Sequence, residues 1–190
     1  MAVEPSSPRS VQTRDRVLPE RAQEVVDHAY ALLDAEGADG LSMRRLADGL
    51  GVTAPALYRY FPDKRTLEDH ITYAVLWHLG DIARERIARA RVRGEQPAVA
   101  LFTYYREWAL EHPHLYRLVY TTPLDRERRD PAPVQHTIDA VHDACGGDRT
   151  LSRRMWVFTH GLVMLELDRR MTPGIDPEEL MRDGLSRLLP

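Results

Sequence analysis

The chain is predicted to fold entirely as α-helices. Its apolar residues recur at three- and four-residue spacing in one stretch after another. No alternating apolar run is long enough for a sheet strand, and most of its 13 prolines and 11 glycines fall between the periodic stretches. Residues 1–18 have little apolar periodicity and are expected to form a disordered arm, with Arg9, Arg14 and Arg16 either solvated or touching DNA. From Pro19 to Glu36, Ala22, Val25, Val26, Ala29, Leu32 and Leu33 make one apolar face, which Gly37 and Gly40 end. Ser42 is a good N-cap for a second helix built on Met43, Leu46, Ala47 and Leu50, and Gly51 sits where that helix must stop in a left-handed turn. Thr53 or Ala54 caps a third helix, with Pro55 tolerated only in its first turn. Its apolar face continues through Leu57 and Phe61 and leaves Tyr58 and Arg59 outside. A fourth helix starts after Pro62 with Asp63 as cap. It runs through Leu67, Ile71, Ala74, Val75 and Leu79, with Gly80 marking a bend on the way to Ala90.

The remainder reads as a larger helical body. Ala98, Leu101, Phe102, Tyr105, Trp108 and Ala109 form an amphipathic helix that ends at His112-Pro113, and a short helix around Leu115 to Tyr120 follows. Thr122 to Pro133 is a charged loop flanked by prolines. Further helices are expected over Val134 to Ala144, Leu151 to Arg170 and Pro177 to Leu189. The domain boundaries are therefore set at 1–18 for the arm, 19–66 for a small three-helix head and 67–190 for the body.

Composition narrows the function. No apolar stretch reaches the roughly 18 residues of a membrane span, and MAVEPSSPRS lacks the apolar core of a signal peptide, so a cytoplasmic protein is expected. The single cysteine, Cys145, permits no internal disulfide. The chain has 26 basic and 29 acidic side chains, a net charge of −3 that by itself argues against a nucleic-acid partner. The distribution argues the other way. Arg44, Arg45, Arg59, Lys64 and Arg65 against Asp48 and Asp63 make residues 41–67 +3 and leave −6 for the rest.

Helix, glycine turn, helix is the arrangement in which the second helix enters the major groove of DNA. Ala47, Gly51 and Val52, then Leu57-Tyr58, then Phe61-x-x-Lys64-x-x-Leu67, resemble the DNA-binding signature of the tetracycline-repressor (TetR) family of bacterial regulators; the resemblance runs from Ala22 to about Ala74. The stretch Trp108 to Leu118 and the run Trp156-Val-Phe-Thr-His160-Gly161-Leu162 are similar to a recurrent C-terminal domain type of that family.

On the reading helix the first turn is Thr53, Ala54, Pro55 and Ala56. These small residues offer methyl contacts to thymine and one hydroxyl. Arg44 matches a family position from which an arginine reaches guanine; its alternative is an i,i+4 pair with Asp48. Tyr58, Tyr60 and Lys64 match phosphate-contacting positions, and Ser42, Thr53 and Arg59 are further candidates for the DNA backbone.

The resemblance also implies a homodimer made by the last two long helices, for which Met155, Phe158, Leu162, Leu165, Leu180, Leu185, Leu188 and Leu189 are suitable; their alternative is the core of one subunit. It implies as well a small-molecule effector held in the body, with Phe102, Tyr105, Trp108, Tyr116, Trp156 and His160 as candidate lining. The histidines show no metal-ligand spacing, Cys145 stands at an unfavourable helix end for a reactive thiolate, and no catalytic motif is present. The expected function is that of a dimeric repressor which binds a palindromic operator in double-stranded DNA and is released by an effector, without cofactor, metal or catalysis. The alternatives are an activator, or a helical small-molecule-binding protein that no longer binds DNA.

Overall fold

In the computed structural model, residues 18–122 and 130–189 are described, and among them all regular structure is helical. The arm, with Arg9, Arg14 and Arg16, and most of the charged loop expected over Thr122 to Pro133 lie outside the described residues. The helices are α1 (Glu20–Gly40), α2 (Met43–Leu50), α3 (Ala54–Tyr58), α4 (Lys64–Arg93), α5 (Pro97–Glu111), α6 (Pro113–Thr121), α7 (Ala132–Ala144), α8 (Arg149–Leu167) and α9 (Pro177–Leu188). None of the described helices is long and apolar enough to cross a membrane.

Packing gathers the chain into two compact units that do not follow chain order. The first takes the described residues up to His78 together with His114–Val134, and the second takes Leu79–Pro113 with the residues from Gln135 onward. The expected boundary at 66/67 differs from this division because α4 is one helix with an unbroken apolar stripe. Leu67, Ile71, Ala74 and Val75 are buried in its first half, Ala83, Ile87 and Ala90 in its second.

In the first unit, α1 keeps the predicted apolar face buried, with Leu32 half-buried. Gly37, at φ +75° and ψ −174°, breaks the helix before a last turn to Gly40. A left-handed φ favours glycine there, and His114 of α6 packs against the same residue: a Cβ on it would stand 2.9 Å from His114 Nδ1. Asp63 caps α4 as expected, its carboxylate accepting from the Thr66 amide at 2.6 Å and the Thr66 hydroxyl at 2.8 Å.

In the second unit, α5, α8 and α9 pack on one another around a core that includes Ile87, Leu101, Phe102, Met155, Leu162, Met181 and Leu185. At Gly80, the position of the expected bend, α4 continues as helix. What demands glycine is the ring of His136 on α7, which would stand 2.2 Å from a Cβ at that position. Arg106 on α5 and Glu166 on α8 form a two-pronged ion pair, Nε and Nη2 donating to the two carboxylate oxygens at 2.7 and 2.6 Å, with both side chains mostly shielded.

Candidate nucleic-acid interface

The head builds its reading surface from two short helices and the turn between them. Ser42 caps α2, its hydroxyl oxygen accepting from the Arg45 amide at 3.2 Å. At the other end Gly51 takes φ +64°, and the Val52 amide returns to the Ala47 carbonyl at 3.0 Å. This closed turn leaves two residues before α3. Thr53 holds the N-cap position of α3, and its hydroxyl makes no capping bond. Burial of Leu57 and Phe61 fixes how α3 is rotated. Thr53 and Pro55 are therefore exposed, Ala54 and Ala56 half-buried, and Tyr58 and Tyr60 point outward at 48% and 38% exposure. A cleft of about 150 Å³ separates the end of α3 from α1, with Tyr60 and Arg59 on one side and Arg21 and Val25 on the other.

The cations of this segment have different surroundings. Arg44 is exposed, one turn from the exposed Asp48. Arg45 is instead committed to structure, clamping Glu36 of α1 through both terminal nitrogens and reaching the Gly40 carbonyl at 3.4 Å. Lys64 is also held in a way the sequence did not indicate. Its Nζ donates to the Ala38 carbonyl at 2.8 Å and lies 3.6 Å from Glu68 Oε1. The Ala38 and Gly40 carbonyls that these cations reach belong to the short turn after Gly37, whose path was not legible from residue types.

Residues 25–71 match the family model described as bacterial regulatory proteins, tetR family, and residues 98–188 match the one described as tetracyclin repressor-like, C-terminal domain. The chain belongs to the tetracycline repressor family. It is a transcriptional regulator with a DNA-binding helix-turn-helix. It is 26% identical over 207 aligned positions to the HTH-type transcriptional regulator Rv0681 of Mycobacterium tuberculosis, an alignment spanning 99% of this chain and 93% of that one. Over 52 residues it is 48% identical to the class A tetracycline repressor from transposon 1721 of Escherichia coli, covering 27% of this chain and 24% of the repressor. Among solved structures, SCO4313 superposes with a TM-score of 0.69 at 25% identity, over 91% of this chain and 99% of that one.

In the body of this TetR-family regulator, the structure rearranges both candidate sets. Met155, Leu162 and Leu185 belong to the core of their own subunit, at 0%, 4% and 0% exposure. Phe158 and Leu188 pack against that core, and the Phe158 ring sits so close over Gly184 that it would stand 2.1 Å from a Cβ there. Of the eight interface candidates Leu165 on α8 and Leu180 on α9 are exposed, and α8 also exposes Trp156 and Val157, the latter at 60%. Because α8 carries apolar residues on both sides, residue spacing alone does not separate its core stripe from an outward one.

The six candidate lining residues fall into three groups. Phe102, Tyr105 and Trp108 share the buried face of α5, whereas Trp156 and His160 stack on each other at 5.1 Å toward the outer side of α8. Tyr116 belongs to the first unit, where it packs on Tyr120 at 4.9 Å. Burial pushes the Cys145 thiol up to about 11, with Asp148 adding to the effect, so this sulfur, 3.9 Å from Met155 Sδ, behaves as a core atom. Among the described residues no cluster of three or more His, Cys, Asp or Glu is arranged to hold a metal.

Proposed function

We propose that this regulator is a homodimeric repressor that grips a palindromic operator and releases it when a small-molecule effector binds its body. The observation that carries the DNA half is the outward set on the head. Arg44, Thr53, Pro55, Tyr58 and Tyr60 are exposed on α2, α3 and the residues just after, while the apolar residues of the same segment are buried. In this reading Arg44 reads a base pair and Thr53, Ala54, Pro55 and Ala56 supply close methyl and hydroxyl contacts. Ser42, Tyr58, Tyr60 and Lys64 hold the backbone. The repressor assignment draws on the E. coli relative, whose name states that role for that protein.

The dimer half draws on α8. Trp156, Val157 and Leu165 lie exposed, and Leu180 of α9 is exposed as well. Gly161, one turn from both Val157 and Leu165, has open space where a side chain would be. An exposed glycine inside a helix costs about 1 kcal/mol relative to alanine, a cost offset if a second α8 crosses closely at that point. For the effector, the buried aromatic face of α5, with Phe102, Tyr105 and Trp108, is the favoured wall. An effector weakens DNA binding only by preferring the DNA-incompetent state. Such a regulator works where the DNA is, in the cytoplasm.

The test is selection of bound duplexes from a random pool by the purified protein at two salt concentrations. An enriched inverted repeat whose binding weakens steeply with salt is expected. Recovery of unenriched sequence at low salt by folded protein would overturn the operator reading.

A further inference from the structure

The kink of α1 joins residues that lie far apart in the sequence. His114, the second residue of α6, packs against Gly37, and the next residue, Ala38, offers its carbonyl to Lys64 Nζ at 2.8 Å. Lys64 is the only lysine of the chain. An ammonium has three N–H donors, so a bond to Ala38 fixes the end of a flexible four-carbon stem and leaves donors for another acceptor. We propose that His114 positions Lys64 for the DNA backbone by way of Gly37 and Ala38. This rests on the reading of Lys64 as a phosphate contact.

Two observations carry the proposal. First, the contact is tight: the ring leaves no room for a Cβ at residue 37, and the left-handed φ there sets the direction in which the following carbonyl points. Second, the bond is sensitive, because a displacement of less than an ångström takes a 2.8 Å hydrogen bond beyond its useful range.

The experiment is a double-mutant cycle on the full chain. It reads fluorescence anisotropy of a labelled duplex of mixed sequence across a salt series for the parent, His114→Ala, Lys64→Ala and the double variant. Each single variant is expected to weaken binding on the order of tenfold and to lower the log–log salt slope by about one unit per head, with no further loss in the double variant. Parent-like affinity and slope for His114→Ala overturns the proposal, as does a loss that adds to that of Lys64→Ala. Parent-like binding by Lys64→Ala sinks the phosphate-contact reading itself, which is a separate result. Should thermal melting show His114→Ala unfolded, His114→Gln takes its place in the same cycle with the same expectations.

Discussion

The pair α2–α3 and the pair α8–α9 solve the problem of an amphipathic helix differently. In α2 and α3 the apolar residues Met43, Leu46, Ala47 and Leu57 lie on the buried side, and what points outward is polar, small or tyrosine. In α8 the inner side holds Leu151, Met155, Leu162 and Val163, yet Trp156, Val157 and Leu165 are exposed. A helix with apolar residues all round is stable in water only if both sides end up covered. The reading helices are complete within one chain, while α8 is half of a contact that a second copy is proposed to finish.

Breaking the inner side should have the largest effect. Leu185→Asp puts a charge at a site with no exposure, and the loss of burial plus the desolvated carboxylate should exceed about 4 kcal/mol, enough to unfold the body. Circular dichroism and melting check this; a folded monomer would show that α9 is not part of the core. The outer side should respond in the opposite manner. Val157→Asp with Leu165→Asp should leave the melting of each subunit nearly unchanged and convert the dimer to monomer in sedimentation. Operator affinity should fall at least about 100-fold as the two heads cease to bind as one ligand. An intact dimer from this variant would remove the outer face of α8 from the interface.

A smaller effect should come from the finished surface. Arg44→Ala should keep fold and dimer and relax preference at one base pair of each half-site by about 1–3 kcal/mol. Binding measured against operators substituted one position at a time checks this, and a uniform loss across all of them would make Arg44 a backbone contact instead.

The head was legible because each of its devices is local. An N-cap serine, a left-handed glycine and a proline in a first turn state their roles within four or five residues. The body was not, for two physical reasons. A long helix with apolar residues at every turn does not say which stripe meets its own core, and so spacing alone leaves Met155 and Leu185 suited to either the core or a second copy. The contacts that set side-chain roles also come from far along the chain. His136 against Gly80 explains a glycine read as a bend, and Ala38 against Lys64 explains where the lysine is held. Tyr116 shows the same at the level of units, since α6 lies between two body helices in sequence but packs with the head.

The smallest effect should be one of pH, and it tests the outer side of α8 from within. Burial holds the His160 imidazole below the ordinary value of 6.5, stacked on Trp156 with the rings 12° from parallel. Because the folded chain favours the neutral ring, the unfolded chain binds more protons just below that value. The contribution of His160 is therefore complete above the ordinary histidine range and is lost as pH falls through 6.5 toward the lower folded value. His160→Gln should accordingly lose less stability on acidification than the parent, with the difference confined to that window. A covering second copy deepens the burial, so the same comparison made by sedimentation should show the parent dimer dissociating at a higher pH than the variant. Matching pH curves for the two proteins would mean that the ring is as well solvated in the dimer as in water, and that the second copy does not cover this end of the stripe.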